Sequence, residues 1–337
     1  MAFITEHPNL TEPTLVGYID NRPEQKVRRL ASVFPEQPVF DLDVAYNVMD
    51  KAGIKAASII GLDAGTPVRT KGEIQSRMAS LTKVAHAYTY TETELFKYRK
   101  ARDNAEQNQI VLNAVQEIGD LYEGVEDIKE YMRAQMAYNG KFKYEDPKTE
   151  TKLEFDLDLP EGSIVESDIY SNPLEAIQAE VDAFKDANRG QAPDFMVMNS
   201  KTYAKLKRND VVKRELYGED ANRLVRNSDL AELLTELELP QITIDDAETI
   251  IEGIGEDLVH KHLEDDKIVF HKAVLGNTFT GPAVENNFQT GTFIKNIVDD
   301  DPHSEKTIVG EVTFPVLKEI TGVRIVNITP EAVEETP

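Results

Sequence analysis

The most informative pattern in the sequence is a stripe of apolar residues within 101–139. These residues recur at steps of three and four positions, which places them on one face of an α-helix. The stripe consists of Val111, Val115, Ile118, Tyr122, Val125, Ile128, Met132 and Met136. The other positions are mostly polar or charged and are predicted to form the outer faces. Asn139 and Gly140 end the pattern, since glycine suits a helix end. The pattern predicts one helix of about 58 Å, at about 1.5 Å per residue.

Two shorter patterns flank the predicted helix. Thr91 and Glu94 have the T-x-x-E spacing of a capping box, so a helix can begin there. On the other side, apolar and polar residues alternate at 141–144 and at 153–159, which predicts two half-buried strands. The polar segment between them has the composition of a turn. We therefore expect the long helix to be followed by a two-stranded ribbon.

The segment 54–90 has the pattern of a long hairpin, with a strand-like run at 56–62 and a returning strand at 73–90. Five basic residues against two acidic ones give it a net charge of +3, on a chain whose net charge is −24. An isolated two-stranded ribbon is marginally stable in water. We therefore expect this basic hairpin to lie on a neighbouring subunit. The candidate contact residues are Arg69, Lys71, Arg77 and Lys83.

The first 35 residues show no clear period and contain several prolines, including Pro8, Pro13 and Pro23. Proline disrupts the interior of helices and of central strands, so neither is predicted here. The segment is then either a disordered tail or an extended arm that orders on a partner. Its apolar content exceeds that of a typical disordered tail, which favours the arm.

Helices and strands alternate between Asn172 and Thr278, which predicts a compact α/β domain. The predicted helices lie at 174–188, at 200–206 and within 209–239, and the predicted strands lie at 195–198, 242–244 and 268–270. Two final strands are predicted around 312–314 and 323–326. The stretch 215–266 has sixteen acidic residues against three basic ones, a net charge of −13. Its surface could meet the basic hairpin between subunits.

Composition excludes several classes of protein. The 337 residues include no cysteine, which excludes disulfides, thiolate nucleophiles and cysteine-ligated metals. No run of about 18 apolar residues predicts a transmembrane helix, and the N-terminus lacks the features of a signal peptide. We therefore expect synthesis in the cytoplasm and no membrane contact. The net charge of −24 should repel nucleic acid. This negative charge indicates either a surface that keeps the chain soluble or the wall of a container that does not bind a polyanionic cargo.

Motifs for catalysis are sparse. The sequence has no G-x-S-x-G, no P-loop and no H-E-x-x-H motif. Gly253 and Gly255 fit a plain turn better than a nucleotide-binding loop. His260 and His262 lie close to Glu264 and could be metal ligands, but a solvated acidic loop is the simpler interpretation. We therefore predict no catalytic, cofactor-binding or metal-binding residues.

The order of these elements resembles that of the major capsid proteins of tailed bacteriophages, which have the Hong Kong 97-type shell fold. It is most similar to the lambda-type major head protein family. The matching residues are Ile54–Val68 with the basic return strand, Asn139–Phe142 with Leu153–Leu157, and Ile268–Thr278. In the last of these, a strand leads into a Leu-Gly-Asn-Thr turn.

The resemblance implies an α+β fold with an N-arm, an extended E-loop hairpin, a peripheral (P) domain with a long spine helix, and an α/β axial (A) domain. The implied ranges are 1–35 for the N-arm, 54–90 for the E-loop, 36–53, 91–165 and 311–337 for the P-domain, 101–139 for its spine helix, and 166–310 for the A-domain. Too few residues precede the E-loop for a cleaved scaffolding segment, which implies a separate scaffolding protein.

The implied function is that of a structural major capsid protein without enzymatic activity. It would self-assemble as pentamers and hexamers into an icosahedral shell that encloses phage double-stranded DNA without binding it specifically. The implied partners are other copies of the chain, a scaffolding protein, a portal and a decoration protein. The implied location is the virion, after synthesis in the bacterial host. Two alternatives remain open: the shell of an encapsulin-like nanocompartment, and an acidic cytosolic α/β enzyme with its site in 166–310.

Overall fold

The chain divides into two compact units, each built from segments that are distant in sequence. A computed structural model describes residues 3–23, 26–48, 75–101, 103–218, 223–300 and 303–329. Unit 1 comprises Met1–Val44, Met78–Arg133 and Asn277–Val316, and unit 2 comprises Ala45–Arg77, Ala134–Gly276 and Leu317–Pro337.

The described residues form eight α-helices and eighteen strands. The helices are α1 (Glu12–Asp20), α2 (Leu30–Val33), α3 (Glu92–Arg99), α4 (Asn104–Tyr138), α5 (Pro173–Ala187), α6 (Ser200–Arg208), α7 (Asp210–Tyr217) and α8 (Asn227–Glu236). The strands are β1 (Glu36–Pro38), β2 (Asp43–Val48), β3 (Gln75–Ser80), β4 (Thr82–Tyr90), β5 (Lys141–Asp146), β6 (Thr151–Asp156), β7 (Ile164–Ser167), β8 (Phe195–Met198), β9 (Ile242–Ile244), β10 (Glu248–Ile251), β11 (Leu258–Lys261), β12 (Lys267–His271), β13 (Gly276–Thr280), β14 (Pro282–Ala283), β15 (Gln289–Thr290), β16 (Phe293–Asp300), β17 (His303–Leu317) and β18 (Val323–Ile328). Short 3-10 turns lie at Ile4–Glu6, Val284–Asn286 and Ile320–Gly322.

The long helix α4 follows the predicted apolar stripe closely. It starts after Asp103, whose carboxylate accepts a hydrogen bond from the backbone N–H of Glu106 at 2.8 Å. In the stripe, Val111, Ile118 and Val125 are at most 2% exposed. The predicted capping box is also present, but it caps the separate helix α3, which ends before α4 begins.

Unit 1 is built on a five-stranded sheet. The order is β1-β13-β17-β16, and β4 pairs with β17 as well. Apolar residues of α4 pack with the sheet and with residues of α1, and together they form the core of this unit. This core includes Leu15, Ile19, Val111, Ile118, Ile294 and Val309. The N-terminal residues are therefore part of the core of unit 1.

The expectation of no helix in the first 35 residues is wrong. Helix α1 spans Glu12–Asp20, and Pro13 lies in its first turn. Proline is well tolerated there, because the N–H that it lacks has no partner within the helix in any case. A proline therefore excludes a helix only where it falls in the helix interior, and Pro13 does not.

Unit 2 contains the α/β layer that the sequence predicts. Its mixed five-stranded sheet has the order β7-β18-β12-β8-β9, and β8, β9 and β12 lie where strands are predicted. Buried residues of α5 to α8 pack with the sheet and form one core. This core includes Ile177, Phe184, Leu206, Leu230, Met196, Phe270 and Val326. The ribbon β5–β6 follows α4, also as predicted.

Two local predictions need correction. The Leu-Gly-Asn-Thr motif does not form a turn, because β13 begins at Gly276 and Thr278 pairs with Glu36 of β1. The returning strand of the hairpin is divided into β3 and β4, and β4 pairs with β17 from Thr82 to Tyr90. The predicted first strand of the hairpin, at 56–62, lies outside the described residues. The assignment of ranges to the N-arm, E-loop, P-domain and A-domain stays a prediction.

Replacing Val125 with Asp should lower the free energy of unfolding by about 2–5 kcal/mol, because it buries an unpaired charge. Leu112, which lies on the same helix and is 52% exposed, provides the matched control. L112D should change stability by only about 0.5 kcal/mol. Chemical denaturation of both variants measures the difference. Equal stability of V125D and the wild type would show that this face of α4 is not buried.

Candidate functional site

Lys83, one of the predicted contact residues, lies on β4 in unit 1. Its Nζ pairs with Oε1 of Glu285 and lies 5.1 Å from the centre of the Phe293 ring. The Lys83 side chain is 45% exposed, and exposed ion pairs contribute only about 0–1 kcal/mol. Lys83 thus has a weak partner within its own chain, and its role at a subunit contact stays a prediction.

Arg77 lies on β3, in unit 2. Its Nη1 donates a hydrogen bond to the carbonyl oxygen of Leu157 at 3.1 Å, and its Nη2 lies 3.4 Å from Oδ2 of Asp158. Arg69 and Lys71 lie outside the described residues. The structure therefore places Arg77 and Lys83 in different units and does not test the predicted contact of the four residues.

A cluster of buried charges, which sequence analysis did not predict, surrounds Lys129 of α4. The Lys129 side chain is 2% exposed. Its Nζ lies 2.6 Å from Oε1 of Glu36, 2.8 Å from Oε1 of Glu126 and 2.8 Å from Oε2 of Glu311. An ammonium group carries three N–H donors, one for each of these carboxylates. The carboxylates belong to β1, α4 and β17, so one ammonium joins three segments of unit 1.

Arg133 extends this cluster by one helical turn and is also buried. Its Nη2 lies 3.2 Å from Oε1 of Glu36, the same oxygen that contacts Lys129. Its Nη1 lies 3.3 Å from Oε2 of Glu130, and its Nε donates a hydrogen bond to Oγ1 of Thr278 at 2.9 Å. One carboxylate oxygen therefore bridges two buried cations. We call Glu36, Glu126, Lys129, Glu130, Arg133 and Glu311 the buried charge network. Glu36 lies at its edge, with a side chain that is 50% exposed.

The pKa values within the network follow from burial and charge. Burial alone would lower the pKa of Lys129, but the surrounding carboxylates raise it above its ordinary value. Burial would likewise raise the pKa of Glu36, and the charges of Lys129 and Arg133 bring it below the ordinary value. For Glu311, burial raises the pKa and the nearby Lys129 only partly offsets this effect. Lys129 and Glu36 are therefore charged at neutral pH.

Residues 22, 23 and 26–30 of the N-terminal segment lie along α4 and are held there by exposed and half-buried ion pairs. These pairs join Arg22 to Asp120 at 3.1 Å, Lys26 to Asp127 at 2.5 Å, Arg28 to Glu123 at 2.7 Å and Arg28 to Asp127 at 3.0 Å. Gly119 makes room for this segment, since a Cβ atom there would lie 1.9 Å from Nη1 of Arg22. The segment predicted as an arm thus has a complementary surface on its own chain.

Sequence analysis missed the buried charge network because it assigned every charged position of α4 to an outer face. Glu126 and Lys129, like Glu130 and Arg133, are three positions apart, a spacing that is common on exposed helices. A signal for burial lies further along, where 131–138 is apolar on nearly all sides of the helix. A helix that is apolar all round is buried, and its neighbouring charges must then be paired.

A cavity of about 680 Å³ adjoins the network within unit 1. Arg28, Lys129 and Glu311 line it, together with Thr280, which is 5% exposed. Oγ1 of Thr280 has no hydrogen-bond partner among the described residues. Ordered water commonly occupies polar cavities of this kind. Two cations that line the cavity, Arg28 and Lys129, are already paired with carboxylates of the same chain. These ion pairs are therefore suited to holding the segments of unit 1 together.

The histidines considered as metal ligands have another role. His262 is 4% exposed, and its Nε2 lies 2.8 Å from Oγ1 of Thr249. The interpretation of this region as a solvated loop is therefore wrong for His262, which is buried against β10. Within the described ranges, no three His, Asp or Glu side chains are placed to hold a metal ion.

Comparison with known proteins identifies the family. Residues 12–318 match the family model of the phage major capsid protein E. The chain belongs to the phage major capsid protein E family. No curated protein matches the sequence of this capsid protein. The match nevertheless spans both units and includes α4, β17 and the buried charge network.

The solved structures that share the fold of this capsid protein include a prophage capsid protein and a phage-related protein. A prophage capsid protein from E. coli CFT073 is 16% identical and aligns over 95% of this chain and 99% of its own, with a TM-score of 0.57. A phage-related protein from Bordetella bronchiseptica RB50 is 11% identical and aligns over 94% and 96%, with a TM-score of 0.53. Identities this low establish a common fold and nothing finer.

The resemblance found in the sequence is thus confirmed, and so is the α+β Hong Kong 97-type fold. The chain is a structural protein of the phage capsid and not an enzyme. None of the helices in the described ranges combines the length and the apolar composition that a membrane span requires.

Replacing Lys129 with Met should lower the free energy of unfolding at pH 7 by about 3–5 kcal/mol, because three carboxylates lose their shared buried cation. The loss should shrink as the pH falls. The lowered pKa of Glu36 means that its pairing stabilises the wild type above the unfolded pKa of about 4.3. This stabilisation disappears as the pH falls through the lower folded pKa, and K129M has less of it to lose, because only Arg133 still lowers the pKa of Glu36 in that variant.

The matched control for K129M is K97M, because Lys97 is exposed on α3. K97M should stay within about 0.5 kcal/mol of the wild type. Chemical denaturation of all three proteins from pH 7 to about pH 3, a range that extends below the unfolded glutamate pKa, measures both effects. A K129M variant as stable as the wild type at pH 7 would mean that the network does not support unit 1.

Proposed function

We propose that this capsid protein self-assembles as pentamers and hexamers into an icosahedral shell that encloses phage double-stranded DNA. The observation that carries the proposal is the family match over residues 12–318. The shared fold with a prophage capsid protein agrees with it. Copies of the chain are then its main partners, and the virion is its location after synthesis in the bacterial host.

The charge of the chain supports a wall that encloses DNA without binding it specifically. A protein that grips DNA neutralises phosphates with lysine and arginine, and its affinity falls steeply with salt. This chain has a net charge of −24. Its basic side chains on the N-terminal segment are already paired with α4, as Arg22 and Arg28 show. Packaged DNA would therefore slide along the inner wall without being held.

The buried charge network supports the role of a repeated building block. A shell of many copies requires that each subunit presents the same surfaces to its neighbours. Breaking a buried ion pair costs about 3–5 kcal/mol, so Lys129 strongly disfavours arrangements that separate α4 from β1 or β17. The ranges assigned to the N-arm, E-loop, P-domain and A-domain belong to this proposal, with α4 as the spine helix.

Additional proteins complete the proposal. A scaffolding protein would guide the curvature of the assembling shell, a portal would replace one vertex for DNA entry, and a decoration protein would bind the outer surface. These partners are inferred from the resemblance to tailed-phage capsid proteins. Their binding surfaces must lie outside the core residues of unit 1 and unit 2.

The full-length chain, expressed in a bacterium with its scaffolding protein, should form closed particles of megadalton mass. Sedimentation velocity and negative-stain microscopy would detect them, and particle symmetry would show whether pentamers and hexamers are present. A monomer or dimer under all salt conditions would contradict the proposal. Particles that contain a protein cargo in place of DNA would support the nanocompartment alternative.

Replacing Arg69 and Lys71 with Glu should leave the subunit folded and reduce particle formation, because these charges would oppose an acidic surface on the neighbouring subunit. The defect should depend on ionic strength, since salt screens exposed charges over about 8–10 Å. The control is K141E/K152E, which makes the same charge change on the exposed ribbon β5–β6.

Circular dichroism would test the fold of both variants, and sedimentation would measure assembly. If R69E/K71E assembles like the wild type at low salt, the basic charge of the hairpin is not used in assembly. If it fails to fold, the hairpin belongs to the core of its own subunit and the E-loop assignment is wrong.

A further inference from the structure

Helices α6 and α7 carry a basic surface on a chain that is acidic as a whole. The stretch 201–214 contains six basic residues and one acidic residue, a net charge of +5 against −24 for the chain. The basic residues are Lys201, Lys205, Lys207, Arg208, Lys213 and Arg214. We call these six side chains the basic surface.

Internal partners account for only part of the basic surface. Lys201 pairs with Asp265 at 3.0 Å and Lys205 with Asp266 at 2.6 Å, while Lys213 pairs with Asp210 at 2.8 Å. Arg208 and Arg214 are exposed. Neither of these two side chains forms an ion pair or a hydrogen bond with the described residues. Lys213 and, to a smaller extent, Arg214 lower the pKa of Asp210, so Arg214 has a weak internal electrostatic partner. Both guanidinium groups are nevertheless exposed and accessible to an external carboxylate, with which guanidinium pairs well.

A complementary acidic surface lies on α8 and just beyond it. Glu232 and Glu236 are four positions apart and therefore face the same side of the helix. Glu238 follows after the end of the helix, and all three are exposed. None of them forms an ion pair with the described residues. Leu237 is 41% exposed beside them, so this surface combines unpaired carboxylates with an apolar contact, as the rim and centre of an interface do.

We propose that the basic surface of one subunit binds the α8 acidic surface of a second copy of the chain. The two surfaces differ, so the contact is head-to-tail. A head-to-tail contact that repeats with a closing rotation produces a ring. Pentamers and hexamers are rings of this kind, and the inference rests on the proposed function in this respect. Arg208 and Arg214 would then pair with Glu232 and Glu236 of the neighbour.

A second copy fits the basic surface better than nucleic acid does. Duplex DNA presents one charge per about 1.7 Å of its axis and needs a dense row of cations. Here Asp210, Asp265 and Asp266 lie among the lysines, and the rest of the chain repels a long polyanion. A helix with two or three carboxylates matches the two exposed arginines and brings far less negative charge close to these aspartates than duplex DNA would.

The test uses three variants of the full-length chain under the assembly conditions given above. R208E/R214E makes the chain more negative, whereas E232R/E236R makes it less negative. Both should lose the particle fraction, because each places like charges across the contact. The variant with all four substitutions has the net charge of the wild type and exchanges the two surfaces, so it should recover particles. A general effect of net charge cannot produce this pattern, because the two double variants change it in opposite directions.

Sedimentation velocity and negative-stain microscopy measure the particle fraction, and circular dichroism checks the fold. Normal assembly of R208E/R214E, or no recovery in the fourfold variant, would overturn the inference and leave the proposed function intact. Absence of particles from the wild type would instead overturn the proposed function, and this inference with it. In a gel-shift assay at about 150 mM salt, duplex DNA that binds the wild type but not R208E/R214E would assign the basic surface to nucleic acid, which also overturns the inference.

Discussion

Unit 1 depends on one ammonium group that cannot be buried alone. Removing a charge from water costs several kcal/mol, and only close, well-directed partners return that energy. Lys129 has three such partners, and they lie on segments that meet only in the folded chain. The packing of α4 against β1 and against β17 is therefore coupled, because losing either contact leaves the ammonium with too few carboxylates. Apolar packing stabilises the core of unit 1. The network adds a preference for the arrangement in which α4 contacts both β1 and β17.

Charge serves different purposes at different depths in this capsid protein. At the surface, the excess of acidic residues keeps the chain away from polyanions, and single pairs such as Lys83 with Glu285 add little stability. At half-burial, Arg28 binds two carboxylates of α4 and fixes the course of the N-terminal segment. In the core, the buried charge network fixes how α4 is aligned with β1 and β17. The basic surface on α6 and α7 stands apart, because Arg208 and Arg214 are exposed there and form no ion pair within the described part of the chain.

Local patterns were enough to predict α4, the ribbon β5–β6 and the strands β8, β9 and β12, since each has a period that belongs to its own segment. The apolar stretch 131–138 hints that Lys129 is buried, but the sequence could not reveal its partner, because Glu311 lies 182 residues later in the chain. The same reason explains β13, which becomes a strand because it pairs with β1 and β17, both of them distant in sequence. Helix α1 was missed for a different reason, as Pro13 was judged without regard to its position in the first turn. The sequence also does not distinguish Arg208 and Arg214 from the lysines around them. The distinction depends on the fold, which pairs those lysines with aspartates.

The pairing of β1 with β13 has a consequence for synthesis on the ribosome. Oγ1 of Thr278 donates a hydrogen bond to the carbonyl oxygen of Phe34, 244 residues earlier in the chain. At a translation speed of about 5–20 residues per second, the N-terminal residues wait roughly 10–50 s for this partner. Lys129 waits in the same way for Glu311. A truncated polypeptide that ends before β17 therefore lacks a completed unit 1, so the supply of building blocks is restricted to chains that have been translated beyond β17.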